Sequence, residues 1–207
     1  FQVGANQGET IGIAKIASAK ADALGVGTSS SYKADVAGAV VGGALRSGGI
    51  TANGFNVGPT LRDGVSAAGS DDSAIAMAAA FNAVSGQTGI TAKANATSLT
   101  GGAPTAQVAI AGNNTDFIYV NNVKLGAITA GTNAITQGAN VAAAFNAVSN
   151  QSGVTATFDK TSGAVSLTAA DGRNIDLIGG GVGATLANTG LTMGTGGTIV
   201  AGAAAAA

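Results

Sequence analysis

The sequence predicts a β-dominated α+β protein, with an N-terminal β-hairpin followed by duplicated strand–helix–strand units in one or two outer domains. Three observations carry that expectation. An eight-residue segment occurs twice unchanged. Short runs alternate apolar and polar residues between turn signals. The apolar content comes from Ala, Gly and Val, with aromatics at only 4%.

The duplication organises the chain. Ala78 to Ser85 recurs as Ala142 to Ser149. The match continues from Gln87-Thr88-Gly89-Ile90-Thr91-Ala92 to Gln151-Ser152-Gly153-Val154-Thr155-Ala156. Upstream, Ile50 to Gly58 pairs with Ile118 to Gly126, at an offset larger by four residues. Length variation confined to a connection is what a duplicated structural unit permits.

Within each unit the spacing predicts a short helix. Met77, Phe81 and Val84 stand at i, i+4 and i+7, and Val141, Phe145 and Val148 repeat them. Ser70 and Asp71 offer N-cap oxygens, with Asp72 near the positive end of the helix dipole. The helices are expected to stop at Gly86 and Asn150, since Gly and Asn best tolerate a left-handed C-terminal residue. Ile90-Thr91-Ala92 and Val154-Thr155-Ala156 then read as strands. Ala164 to Thr168 alternates as a further strand, Asp171-Gly172 signals a turn, and Asn174 to Leu177 continues beyond it.

The flanking segments differ. Phe1 and Val3 alternate with Gln2 and Gly4, and Thr10 to Ala14 alternates again after Asn6-Gln7-Gly8. This reads as a hairpin over 1–25. Residues 26–49 are a Gly/Ala/Ser-rich connection, the first unit spans 50–112, the second 113–178, and 179–207 is a Gly/Ala-rich return segment that ends in Ala203 to Ala207.

Composition excludes several functions. The chain has no Cys, His or Trp, charged residues make up 9%, and the net charge is −1. Thiolate and imidazole metal sites cannot be built, and acid–base chemistry near neutral pH lacks its usual carrier. No basic patch exists to neutralise phosphates, so nucleic acid is not an expected partner. The Gly has no period of three, which rules out collagen. Val36 to Leu45 is too short and too Gly-rich to span a bilayer, so no membrane insertion is expected.

Candidate sites each have a structural reading. Gly179-x-Gly181-x-x-Ala184 follows a strand as a dinucleotide-binding turn does, but no acid follows Asp176 to hold a ribose, and 34 Gly make a chance match expected. Asp71 and Asp72 are adjacent, do not face one another on a helix, and read as capping residues. Asn113, Asn114 and Asp116, and likewise Asp171, Asn174 and Asp176, supply oxygens for calcium but lack the spacing of a calcium loop, so turn chemistry is preferred. Asn95, Asn113 and Asn150 begin N-glycosylation tripeptides. Phe81 and Phe145 read as core rather than a ligand groove. Ser29-Ser30-Ser31-Tyr32-Lys33 matches no nucleophile motif. No catalytic, cofactor-binding or metal residue is therefore assigned, no cofactor is expected, and the protein is not expected to be an enzyme.

The residues also resemble a family. Phe1 to Ile11, ending at Leu24-Gly25, is similar to the hairpin segment of bacterial flagellins. The repeats resemble the flagellin hook IN motif, an Ile-Asn-Ala followed by Thr-Gly-Val-Thr-Ala. Phe81-Asn82-Ala83 and Phe145-Asn146-Ala147 carry Phe in place of the Ile. Thr88 to Ala92 and Ser152 to Ala156 keep the second half. These stretches cover about half of the chain, and hook-associated and capping proteins share the IN motif. The long heptad-patterned helices through which flagellins polymerise have no counterpart here. The resemblance therefore implies the exposed central region of a flagellin, with its polymerising ends absent. It implies a secreted structural subunit of the flagellar filament serving motility, at the extracellular cell surface. Implied partners are other flagellin subunits, the export apparatus and its chaperone, and a host receptor or surface glycan. The alternatives are an adhesion or polysaccharide-binding protein on a flagellin-like scaffold, for which Tyr32 and Tyr119 are the only Tyr, or a hook-associated or filament-cap protein.

Overall fold

The computed structural model describes residues 43–193, together with the backbone of 198–200 and 204–206. The expected hairpin over 1–25, Tyr32, most of the 26–49 connection, and both ends of the Ala203 to Ala207 run lie outside the described residues. All described residues belong to one unit, residues 33–207.

Strands β1 (Thr51–Ala52) and β2 (Phe55–Asn56) form a hairpin around Asn53-Gly54. Both turn residues have positive φ, 47° and 83°, which is the combination a two-residue hairpin turn needs and Asn-Gly supplies. Helix α1 (Ala74–Asn82) follows, then the single-turn α2 (Ser85–Thr88), β3 (Ala92–Ala94) and β4 (Thr97–Thr100). The same order then repeats as β5 (Phe117–Val120), β6 (Val123–Lys124), α3 (Ala134–Ala147), α4 (Ser149–Ser152) and β7 (Thr155–Phe158). The chain continues through β8 (Val165–Ala169), β9 (Ile175–Gly180), α5 (Leu186–Thr189), β10 (Thr198–Val200) and β11 (Ala204–Ala206).

Among the described residues every strand pairing is antiparallel, in sheets ordered β10-β9-β5-β6, β4-β8-β7, β11-β3 and β1-β2. The fold is thus mixed α and β, but not β-dominated as expected. Helix and strand residues are nearly equal in number among those described, because the strands are short while α3 runs for 14 residues. β4 lies within 50–112 yet pairs with β8, and β9 runs past residue 178 to Gly180.

Three local expectations are corrected. The N-cap of α1 is Ser73, whose Oγ accepts from the Ala76 amide at 3.0 Å. Ser70 and Asp71 precede it in a turn, since short polar residues compete with helical hydrogen bonding. In the second unit the matching residues, Ala134 to Gln137, form the first turn of α3, capped by Asn133 in a capping box with Thr136. Second, Gly86 and Asn150 do not end the helices but sit inside α2 and α4. The left-handed residues are Gly89 and Gly153, at φ 69° and 73°, which close the second, shorter helix of each unit. Third, β3 begins at Ala92 instead of Ile90.

The larger core lies in the second unit. Phe145, Val141, Val165, Leu167, Ile175 and Leu177 are all fully buried between α3 and the sheets. β8 alternates cleanly, with Val165, Leu167 and Ala169 inward. The first unit has a thinner core of Ala52, Val57 and Ala80, with Leu45, Phe81, Val84 and Ile90 half-buried against it. Its helix buries alanines where α3 buries Phe145.

Candidate functional site

The feature built twice from matching atoms is the junction between each helix pair and the strand that follows it. The Asn82 side-chain amide donates through Nδ2 to the Ala92 carbonyl and accepts through Oδ1 from the Ala92 N–H, both at 2.8 Å. Asn146 makes the same two bonds with Ala156, again at 2.8 Å. One side chain therefore satisfies both backbone groups of one strand residue, as a neighbouring strand would.

The surrounding bonds repeat with it. Ser85 Oγ donates to the Asn82 carbonyl at 2.7 Å, and Ser149 Oγ to the Asn146 carbonyl at 2.8 Å. Thr88 Oγ1 accepts from the Ile90 N–H at 3.1 Å, and Ser152 Oγ from the Val154 N–H at 3.2 Å. Asn53 Nδ2 donates to the Thr88 carbonyl at 2.8 Å, and Asn121 Nδ2 to the Ser152 carbonyl at 2.9 Å. Each hairpin turn is thereby tied to the end of the second helix of its unit. Asn121 holds φ at 48°, close to the 47° of Asn53, and in the second unit it also reaches β9. Its N–H donates to the Asp176 carbonyl and its Oδ1 accepts from the Asp176 N–H.

Beside each junction runs an open groove, about 450 Å³ between α1 and β3 and about 360 Å³ between α3 and β7. The linings correspond position by position, with Ala78 and Ala142, Ala79 and Ala143, and Ala92 and Ala156 supplying methyl groups. The rims differ, with Lys93 and Asp171 on the first and Thr157 and Phe158 on the second. Such a surface offers apolar contact and one amide, with no nucleophile–base pair and no cluster of ligands.

Burial raises the pKa of Asp63, but the Ser66 and Ser73 hydroxyls and the Ser66 and Val65 amides outweigh it and hold the carboxyl below its usual range. Through Ser73 Oγ, at 2.5 Å, Asp63 anchors the cap of α1. Asp176 is the opposite case. It is 6% exposed, its Oδ1 has no hydrogen-bond partner, and burial pushes its carboxyl up.

Most of the candidates weighed from sequence find separate partners. Asp116 accepts from the Gly183 and Ala111 amides, Asn113 Oδ1 closes a turn onto Thr115 and Asp116, and Asn114 meets Lys124 Nζ at 3.5 Å. Asp171 pairs with Arg173 at 2.7 Å. Asn174 turns its Nδ2 toward the Ala68 and Gly69 carbonyls and Asp72 Oδ1, while its Oδ1 is buried without a hydrogen-bond partner. Asp72 thus ties the loop before α1 to the residue that precedes β9, and Asp71 is exposed. No group of three or more Asp or Glu residues placed to hold a metal occurs among the described residues. The Gly179 to Ala184 stretch ends β9 and turns into α5, which stops after four residues at a left-handed Gly190. That is too short for the helix a dinucleotide turn requires. Asn95 and Asn150 are exposed. Phe145 is fully buried and Phe81 half-buried. Ser29 to Lys33 lie outside the described residues. No helix among the described residues is long and apolar enough to cross a membrane.

Sequence reasoning passed over Asn82, Asn146, Asn53 and Asn121. The signal lay in the alignment of the repeats. The Asn positions stay fixed while Lys93 becomes Thr157 and Ala94 becomes Phe158.

No family model matches the chain, and no curated protein matches it.

Proposed function

We propose that this chain is the surface-exposed central region of a flagellin, a non-enzymatic structural subunit of the bacterial flagellar filament that serves motility outside the cell. The observation that carries this reading is the duplicated unit. Phe-Asn-Ala and the Thr/Ser-Gly-Ile/Val-Thr-Ala that follows it resemble the IN motif at the positions where one amide fastens helix to strand, so those residues work as a folding device. The hairpin-like sequence over 1–25 supports the same reading, and so does a chemistry poor in acids, bases and nucleophiles. In this reading the partners are other flagellin subunits and the export apparatus with its chaperone. The full-length protein carrying this region is expected to sediment as filaments under polymerising conditions. A full-length protein that stays monomeric there, or that instead binds a polysaccharide saturably, contradicts the proposal.

A further inference from the structure

The two grooves flank strand edges, and those edges are closed in an unusual way. Ala156 stands opposite Leu167 of β8 in register, yet its N–H and C=O both go to Asn146. In an antiparallel pair, alternate residues turn their backbone groups away from the partner strand. Ala156 is such a residue, so Asn146 occupies the outer side of β7, which is the end strand of its sheet. On the same side, the Val154 N–H is taken by Ser152 Oγ. In the first unit Ala92 stands opposite Ala206 of β11, and its N–H and C=O are likewise turned to Asn82.

An open strand edge is a template for pairing with another chain, and proteins blunt it with charge, proline, a bulge or a covering helix or loop. β7 is Thr-Ala-Thr-Phe, with no charge and no proline, and the protection at its edge comes from α3, which packs against it and carries Asn146. The side chains of β7 are neutral, so two copies can pair about a two-fold axis without like-charge conflict. A net charge of −1 adds little repulsion between copies. We propose that Asn146, and Asn82 in the first unit, are edge locks. Each side-chain amide fills the place of an incoming strand residue and so prevents strand-to-strand association with a second copy of this chain.

The test is Asn146→Ala in the whole chain, followed by sedimentation equilibrium and amide hydrogen exchange. The expected result is self-association at least about tenfold tighter than the parent's, the equivalent of 1.4 kcal/mol. The Ala156 amide should exchange rapidly in dilute variant and regain protection as the concentration rises. A folded variant that associates no more than the parent overturns the proposal. If Asn146→Ala fails to fold, Asn82→Ala is measured in the same way. Unchanged association there, or unfolding of both variants, overturns the proposal and leaves the two amides as fold-holding groups alone.

Discussion

A Cβ placed on Gly138 would overlap the carbonyl oxygen of Gly163, and one on Gly163, at φ 80°, would overlap the carbonyl of Ala134. Helix α3 therefore rests directly on the turn between β7 and β8. The matching residue of the first unit is Ala74, which carries the methyl group that Gly138 lacks and is itself fully buried. Helix propensity alone would favour Gly138→Ala by about 1 kcal/mol. The contact decides the sign, and the substitution is expected to destabilise by about 1–3 kcal/mol in chemical denaturation. Asp176 gives a second test at this scale. Its carboxyl is raised by burial, so its ionised form costs stability, fully above the folded pKa and progressively less as pH falls toward 3.8. Asp176→Asn is expected to melt above the parent at pH 7, with the gap shrinking on acidification. A variant that melts below the parent at pH 7 contradicts that account. Asp63 and Asp171 have the opposite sign. Burial raises each pKa, but the hydrogen bonds to Ser66 and Ser73, and those to Arg173, outweigh it. Their stabilisation is present above the ordinary carboxylate range and is lost as pH falls below 3.8.

At the scale of elements, the two units share a hydrogen-bond plan but differ in core. Phe145 is fully buried and Phe81 is not. Phe145→Ala is expected to cost about 3–5 kcal/mol, and Phe81→Ala about 1 kcal/mol for its partial burial. Equal losses in urea denaturation would mean that the first unit is packed as tightly as the second. The helical spacing of 77 with 81 and of 141 with 145 was legible because a period of 3.6 is a sequence property, whereas Val84 and Val148, expected on the same helices, lie past the ends of α1 and α3. The unequal burial of Phe81 and Phe145 was not legible, because it depends on which strands arrive against them. Asn53-Gly54 carries a strong hairpin signal that a strand–helix–strand reading passes over. The cap at Ser73 was misplaced because Ser70, Asp71, Asp72 and Ser73 are all competent caps, and Asp63, ten residues away, selects the last one. Gly86 and Asn150 read as helix stops by residue type, whereas Gly89 and Gly153 fill that role because a second short helix intervenes in each unit.

For the whole molecule, the repeat alignment made the unit legible but not its interlocking. β4 leaves the first unit to pair with β8, and β10 returns to pair with β9. Pairings over such sequence distances leave no local trace, since a strand's pattern specifies which face is buried and not which partner it meets. The Asn junctions escaped because a side chain standing in for a strand is defined only once helix and strand are both in place. The central claim is that this region forms the outer face of a flagellar filament. Immunogold electron microscopy of intact bacteria tests it most directly, using antibodies raised against residues 43–193. Decoration along the full length of the flagella is the expected result. Label confined to the filament tip or to the cell envelope, with bare filaments, would contradict it.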